Sequence, residues 1–235
     1  MHASTSSSLP LAHTLRALAA LISYPDQGLR EHLDELRSAL RGDARLSANR
    51  LAEVEHLIDL LDRRAGLDSE AVYVDLFDRG RGTSLHLFEH VHGDSRDRGP
   101  AMIDLVQTYV QAGLMLDDGE LPDSLPVALE YASTQPLKAA TAFLGEIAHI
   151  VQVIFSALQA RKSPYAAVPA ALLDLAGRKA EAVPVAIEPD LDESWAEPAA
   201  FAGCSHEGQA APGQEQAMQI VRKARPGAVH AGGLK

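Results

Sequence analysis

The sequence is poor in cysteine and in basic residues. Cys204 is the single cysteine among 235 residues, so no internal disulfide can form, which favours a reducing compartment. The 32 acidic residues outnumber the 21 lysines and arginines, and the formal net charge is −11. This balance disfavours nucleic acid and anionic membrane surfaces as partners.

Long apolar runs are also missing. We find no stretch of about eighteen consecutive apolar residues, the length that spans a bilayer. The first residues, MHASTSSSLPLAHTL, place no basic flank before a hydrophobic segment. We therefore expect neither a spanning helix nor a secretory signal, and we expect a cytoplasmic protein without stable membrane association.

Alternating β-branched segments joined by hairpin turns are absent as well, so a β-sheet is not expected. Instead, apolar residues recur at helical spacing from Leu9 to about Glu181. Tyr24 with Pro25 is predicted to end the first helix and Gly42 the second. Further helices are predicted at about 68–78, 84–91, 99–116, 126–133, 136–161 and 165–179.

The third helix is predicted to begin after a cap at Ser47 and to end at Gly66. With 46% hydrophobic residues, these helices can bury a core. The sequence therefore predicts an all-α fold, a single compact multi-helix bundle over residues 9–181.

The composition changes after Glu181. Residues 182–235 hold five prolines and six glycines, and residues 188–221 hold seven acids but no lysine or arginine. Such a segment has too little apolar surface to offset the entropy of ordering. We predict a disordered, acidic C-terminal tail over residues 182–235.

Residues 84–92, SLHLFEHVH, contain a motif of one class of zinc peptidases. His86, Glu89 and His90 have the order H-x-x-E-H, and on a helix the two histidines would share a face. A catalytic zinc also needs a third ligand, and no recognisable ligand pattern follows downstream. We predict structural or interaction histidines and no metal site, and a zinc-dependent hydrolase stays open as an alternative function.

Residues 73–116, YVDLFDRGRGTSLHLFEHVHGDSRDRGPAMIDLVQTYVQAGLML, and the following ELPDSLPVALEY closely resemble a known family. These are the nitrate reductase molybdenum cofactor assembly chaperones, also called the nitrate reductase delta subunit or NarJ-type family. Before Tyr24 only LISYP is similar. The resemblance implies the all-helical fold of redox-enzyme maturation chaperones and a cytoplasmic protein that is no part of the finished enzyme.

What the resemblance implies about function is a chaperone, and not an enzyme, for the catalytic subunit of a membrane-bound respiratory nitrate reductase. It would bind the N-terminal segment of that subunit, a remnant of a twin-arginine export signal. It would hold the apoenzyme until bis-molybdopterin guanine dinucleotide is inserted, and iron–sulfur cluster insertion is associated with the same family. No cofactor would be bound permanently. Proteins of molybdenum cofactor biosynthesis are possible partners, and a monomer or weak homodimer is expected.

The family's hydrophobic pocket corresponds to the predicted helices at 68–78 and 84–91, which offer an apolar groove to an amphipathic guest helix. The apolar residues of this predicted groove are Tyr73, Leu76, Phe77, Leu85 and Phe88. The polar residues at its edge are Asp75, Asp78, His86, Glu89 and His90. Alternatively, the aromatic stripe of the helix predicted at 68–78 belongs to the core, as such stripes at helical spacing commonly do.

A loop motif of the wider group, E-x-P-D-H, is matched in part. Glu120, Pro122 and Asp123 agree with it, whereas Ser124 replaces the histidine, so the role of that histidine is not carried over. Pro122 and Asp123 are expected to set a turn and to cap the helix that starts near Pro126, or to contact the ligand.

A further alternative is a direct carrier of the molybdenum cofactor, whose phosphates would be held by arginines that bracket the histidine run. These arginines are Arg79, Arg81, Arg96 and Arg98. Solvated surface charge is the simpler interpretation of each.

Overall fold

The computed structural model describes residues 11–93 and 95–184. Within these ranges the chain is helical and has no β-strand, with one isolated antiparallel bridge between His86 and Ser124. The predicted all-α fold is confirmed. The tail predicted for residues 182–235 lies, from residue 185 onward, outside the described residues.

The described residues form ten α-helices, numbered in chain order. They are α1 (Ala12–Leu21), α2 (Gln27–Glu31), α3 (Leu33–Asp43), α4 (Ala48–Arg63), α5 (Gly66–Phe77), α6 (Leu87–Val91), α7 (Arg98–Gln111), α8 (Leu125–Ser133), α9 (Leu137–Ala160) and α10 (Ala167–Leu175). Short 3-10 turns at Arg81–Thr83 and Pro164–Ala166 precede α6 and α10.

The core is built around α1 and α9. Helix α1 packs mainly against α8 and α3, and α9 packs mainly against α10. Leu15, Leu18 and Ile22 are fully buried, as the helical spacing of the first segment predicts. Because these residues recur every three or four positions, one stripe of α1 enters the core.

Helix α9 has the length and composition of a membrane span, with a mean hydropathy of 1.6 over its most apolar window. The search for uninterrupted apolar runs did not reveal this helix, because scattered polar residues break such a run without making the helix polar. Core helices have the same composition, and 56% of that window is buried inside the protein. The composition of α9 is therefore weak evidence for a membrane.

Helix ends follow the predicted punctuation only in part. The Ser47 hydroxyl accepts a hydrogen bond from the Arg50 N–H at 3.3 Å, which confirms the predicted cap of α4. Gly42 does not end the second helix, which continues to Asp43. Ala44 then takes the left-handed conformation, with φ of 48°.

Gly66 begins α5 and does not end α4. The guanidinium of Arg30 lies against this position, where a Cβ would require that flexible side chain to shift. The predicted second helix is also divided, since α2 ends before His32 and α3 begins after it.

Helix α7 ends at Gln111, earlier than the predicted 116. Gly113 adopts φ of +80°, and the N–H of Leu114 donates to the carbonyl of Tyr109 at 2.9 Å. This left-handed cap stops the helix although apolar residues continue beyond it.

Contacts with the bundle continue slightly beyond the predicted domain end at 181. The N–H of Val183 donates to the hydroxyl of Ser156 on α9 at 3.0 Å. The placement of the domain boundary stays a prediction.

Candidate functional site

The aromatic face of α5 lies at the edge of the core. Tyr73, Leu76 and Phe77 are between 6% and 8% exposed, and the Tyr73 hydroxyl donates to the carbonyl of Ile22 at 3.0 Å. The ring centroid of Phe77 lies 5.2 Å from that of Tyr165. The core interpretation of these side chains therefore has structural support, and their role in binding stays a prediction.

A hollow of about 570 Å³ opens beside this face and is called the large hollow here. Its walls bring together nine of the residues predicted from sequence: Tyr73, Phe77, Asp78, Arg79, Arg81, Leu85, His86, Glu89 and Arg98. The remaining members of the predicted groove and arginine set are not among its wall residues: Asp75, Leu76, Phe88, His90 and Arg96.

A second depression of about 360 Å³, the small hollow, adjoins the first. The two share the wall residues Tyr73, His86, Ser124 and Pro126. Residues found only in the small hollow include Tyr24, Glu120, Leu121 and Val127. Because they share four wall residues, the hollows lie side by side, and together they are called the cleft, which is bordered by α5, the loop after it, α6 and the start of α8.

The helix predicted at 84–91 begins only at Leu87. His86 has extended backbone angles, φ −86° and ψ 106°, so His86 and His90 do not share a helical face as the motif requires. Nε2 of His90 donates to the Ser84 carbonyl at 2.9 Å, since a carbonyl can only accept. Within the described ranges, no group of three or more His, Cys, Asp and Glu side chains is placed to hold a metal ion.

The carboxylate of Asp123 is fully buried and joins three elements. Its Oδ2 accepts from the Phe88 N–H at 3.3 Å and from Nη2 of Arg98 at 3.4 Å. Its Oδ1 lies 3.3 Å from Nδ1 of His86. Asp123 thereby ties the loop before α8 to the first turn of α6 and to the start of α7.

The expectation that Asp123 caps the helix near Pro126 was wrong. Helix α8 begins at Leu125 after Ser124, and no side chain caps it. Asp123 instead satisfies the free Phe88 N–H of α6, which is distant in sequence. Backbone bonds hold the two segments in register, because the Leu87 N–H donates to the Asp123 carbonyl at 2.8 Å.

The rest of the loop motif divides between core and cleft. The buried Tyr109 hydroxyl donates to the Pro122 carbonyl at 2.9 Å, so a hydrogen bond connects Pro122 to α7. Glu120 lines the small hollow, as do Leu121 and Ser124, the residue at the histidine position of the motif.

The four predicted arginines are not equivalent. Arg79, Arg81 and Arg98 line the large hollow, whereas Arg96 is exposed outside it. Arg79 lies 3.6 Å from Asp75, and both side chains are largely exposed, so this pair contributes little to stability. Arg98 also lies 3.6 Å from Glu89, which accepts a hydrogen bond from the Ser84 hydroxyl.

His86 is the titrating group at the junction of the two hollows. Its hydrogen bond to Asp123 raises its pKa above the ordinary 6.5, with a smaller opposing effect of burial. The native state therefore binds the His86 proton more tightly than the unfolded chain does. The resulting stabilisation is fully present below the unfolded pKa and is lost as pH rises through the folded pKa.

We expect His86→Gln to remove this pH dependence. The difference in free energy of unfolding between wild type and variant should be largest below about pH 6.5 and should shrink above it. Urea denaturation across a pH series measures this difference. His32 also has a raised pKa, caused first by its bond to the Gly28 carbonyl, so His32→Gln should remove a separate contribution and leave that of His86 in place. A constant difference between wild type and His86→Gln at all pH values would contradict the assignment.

Tyr24 is a cleft residue that the sequence did not reveal. It is 47% exposed, and its ring meets that of Tyr73 edge to face at a centroid distance of 5.6 Å. The Tyr24 hydroxyl donates to the Glu70 carboxylate at 3.1 Å. In the sequence, Tyr24 stands directly before Pro25. This local pattern does not indicate that the Tyr24 side chain lines a hollow.

Comparisons with known proteins agree on one family. A family model described as "Nitrate reductase delta subunit" matches residues 23–170. The chain is 43% identical over 159 residues to the nitrate reductase molybdenum cofactor assembly chaperone NarJ of Escherichia coli (strain K12), covering 68% of this chain and 67% of that protein. A Bacillus subtilis (strain 168) protein with the same chaperone name is 31% identical, over 65% of this chain and 82% of its own length.

A solved structure from Archaeoglobus fulgidus, described as a redox enzyme maturation protein, has a similar fold. The TM-score is 0.50 with 18% sequence identity, and the match covers 72% of this chain and 94% of the other. At this identity the likeness shows the fold alone.

Proposed function

Because the chain belongs to the nitrate reductase delta subunit family, we propose that it is an assembly chaperone for the molybdenum-containing catalytic subunit of a respiratory nitrate reductase. In this proposal it works in the cytoplasm and catalyses no reaction. It binds the N-terminal segment of the catalytic subunit. It thereby keeps the apoenzyme ready for bis-molybdopterin guanine dinucleotide and iron–sulfur clusters before membrane docking.

The observation that supports this proposal most directly is the cleft formed by the two hollows. Tyr73, Phe77 and Leu85 supply apolar wall, and charged residues surround it. An amphipathic helix can bury its apolar face in such a cleft while its polar face stays in water. Binding should follow buried apolar area, at roughly 25 cal/mol per Å² before ordering costs, and should show a negative heat-capacity change.

A direct carrier of the molybdenum cofactor is a second candidate, because Arg79, Arg81 and Arg98 do line the large hollow. Guanidinium groups bind phosphates well. Pterin that co-purifies with the chain in a host without the catalytic subunit would favour the carrier. The zinc-dependent hydrolase has no comparable support, because His86 and His90 do not share a helical face. Their rings contact Asp123 and the Ser84 carbonyl, respectively.

We expect Tyr24→Ala to weaken binding of a synthetic peptide from the N-terminal segment of the catalytic subunit about tenfold, the typical effect of losing one aromatic anchor. The side chain is half exposed, so the melting temperature should change little. Isothermal titration calorimetry gives the affinity, and circular dichroism gives the melting curve.

Two further variants make this test specific. Leu67→Ala removes a side chain that is 79% exposed and lines neither hollow, so binding should be unchanged. Tyr24→Phe keeps the ring but removes the bond to Glu70, and it should retain most of the affinity. Unchanged binding by Tyr24→Ala would place the guest outside the small hollow.

A further inference from the structure

The two hollows differ in their charge. The large hollow combines Arg79, Arg81 and Arg98 with Asp78 and Glu89 in its walls. Arg98 also contacts the buried Asp123, so charges of both signs meet at this end. The guanidinium of Arg161 adds a further positive charge beside Gly80, where it would collide with a Cβ.

The small hollow has one acidic residue in its described wall, and His86, paired with Asp123, lies at its border with the large hollow. Glu120 lies in its wall, and among the described residues that line it none is a lysine or an arginine. Tyr24, also in the wall, donates to Glu70, and Asp26 caps α2 by accepting the Leu29 N–H at 2.8 Å. Partial burial and then the carboxylates of Glu70, Asp26 and Asp78 raise the pKa of Tyr24.

The loop before α8 adds to this acidity. Residues 99–124 contain five acids and no lysine, arginine or histidine. Partial burial and then the carboxylate of Glu120 raise the pKa of Glu130, whereas the guanidinium of Arg16 lowers it. A second copy of the chain would bring the same negative charge to this end, so self-association here is disfavoured.

A helical guest also has two electrically different ends. The free backbone N–H groups give the helix N-terminus a partial positive charge, and the carbonyls give the C-terminus a partial negative charge. A segment from the extreme N-terminus of a protein adds an α-amino group, which is largely protonated at neutral pH. Its positive end is therefore attracted to the acidic hollow and its negative end to the arginines.

From this polarity, and resting on the proposed function, we propose that the guest lies across both hollows in one direction. Its N-terminus occupies the small hollow beside Glu120, and its C-terminal end meets the arginine loop that follows α5. Glu120 thereby determines specificity for a positively charged N-terminus. The remainder of the client chain then leaves the cleft on the side of the large hollow.

The direction can be measured by nuclear magnetic resonance on the full chain. The probe is the N-terminal peptide of the catalytic subunit with a nitroxide at its first or its last residue. We expect the first label to broaden the amide signals of Gly119 and Leu121, and the last label to broaden those of Gly80 and Gly82. The reverse pattern, or equal broadening of both sets by either label, would overturn the proposed direction.

A charge cycle tests the role of Glu120. Glu120→Gln should weaken binding of the free-amine peptide about two- to fivefold at low salt, the usual range for a pair at a solvent-exposed rim. The acetylated peptide, which keeps only the partial charge of the helix N-terminus, should lose much less affinity. Glu35→Gln, which removes the same charge on α3 away from both hollows, should change neither affinity. An equal effect of Glu120→Gln on both peptides would overturn the specificity role.

Failure of the proposed function gives a different result. If wild-type protein binds neither peptide and neither label broadens any signal, the client segment is not the guest, and the direction falls with it. If the wild type binds both peptides but the labels and the charge cycle show no preference, only the direction is overturned.

Discussion

Replacing Phe77 by alanine is expected to lower the free energy of unfolding by about 3–5 kcal/mol. Phe77 is 6% exposed, and its ring centroid lies 4.7 Å from that of Tyr73 and 5.2 Å from that of Tyr165. The substitution removes these ring contacts and leaves a space that well-packed neighbours cannot fill. Equilibrium denaturation in urea measures the loss.

The control for this prediction is Leu67→Ala on the same helix, at an exposed position where the loss should stay within about 0.5 kcal/mol. A loss below about 1 kcal/mol for Phe77→Ala would show that the ring is not part of the core. If peptide binding were then strongly weakened, Phe77 would be an anchor of the cleft, as the groove prediction has it. A large stability loss with normal binding by the folded fraction would assign Phe77 to the core.

We expect Asp123→Ala to destabilise the protein by about 2–3 kcal/mol, because it leaves the Phe88 N–H of α6 without its acceptor and removes the partner of Arg98. Both Arg98 and His86 retain contact with solvent. Water can therefore solvate the charges that remain, and the loss should be smaller than for a pair buried on both sides.

Asp123→Asn separates the hydrogen bond from the charge. The amide oxygen can still accept the Phe88 N–H, so we expect α6 to remain capped and the stability loss to be smaller than for alanine. Hydrogen exchange at the Phe88 amide should accelerate in Asp123→Ala and much less in Asp123→Asn. If exchange at the Phe88 amide were no faster in Asp123→Ala than in the wild type, another group would cap α6.

The helices that the sequence predicted well are those with an unbroken periodic stripe. The segment predicted at 136–161 is α9 at Leu137–Ala160, and the segment predicted at 126–133 is α8 at Leu125–Ser133. In both, local spacing and a proline near the start carry the information. The motif at 84–91 failed because its helical start depends on Asp123, which lies 35 residues from Phe88 in sequence.

The residues of the candidate site were likewise predicted only in part. The stretch that resembles the family contains the nine predicted residues that are among those lining the large hollow, so the sequence located the region of the cleft. The sequence did not distinguish the residues that line a hollow from those that are buried in the core. Leu76 is buried without reaching the hollow, whereas Tyr24, some fifty positions before Tyr73, completes the wall.

The sequence by itself determined an all-α bundle and membership of a chaperone family, because helical periodicity and a dense run of motif residues are local properties of the chain. Tertiary structure decided which helix Asp123 caps, which aromatic rings line the cleft, and that acidic and mixed charge lie at opposite ends of it. These features depend on partners far apart in sequence, such as the Tyr73 hydroxyl and the Ile22 carbonyl, 51 residues apart. Only the packing of helices brings such groups together, since no local pattern records which distant segment will meet them.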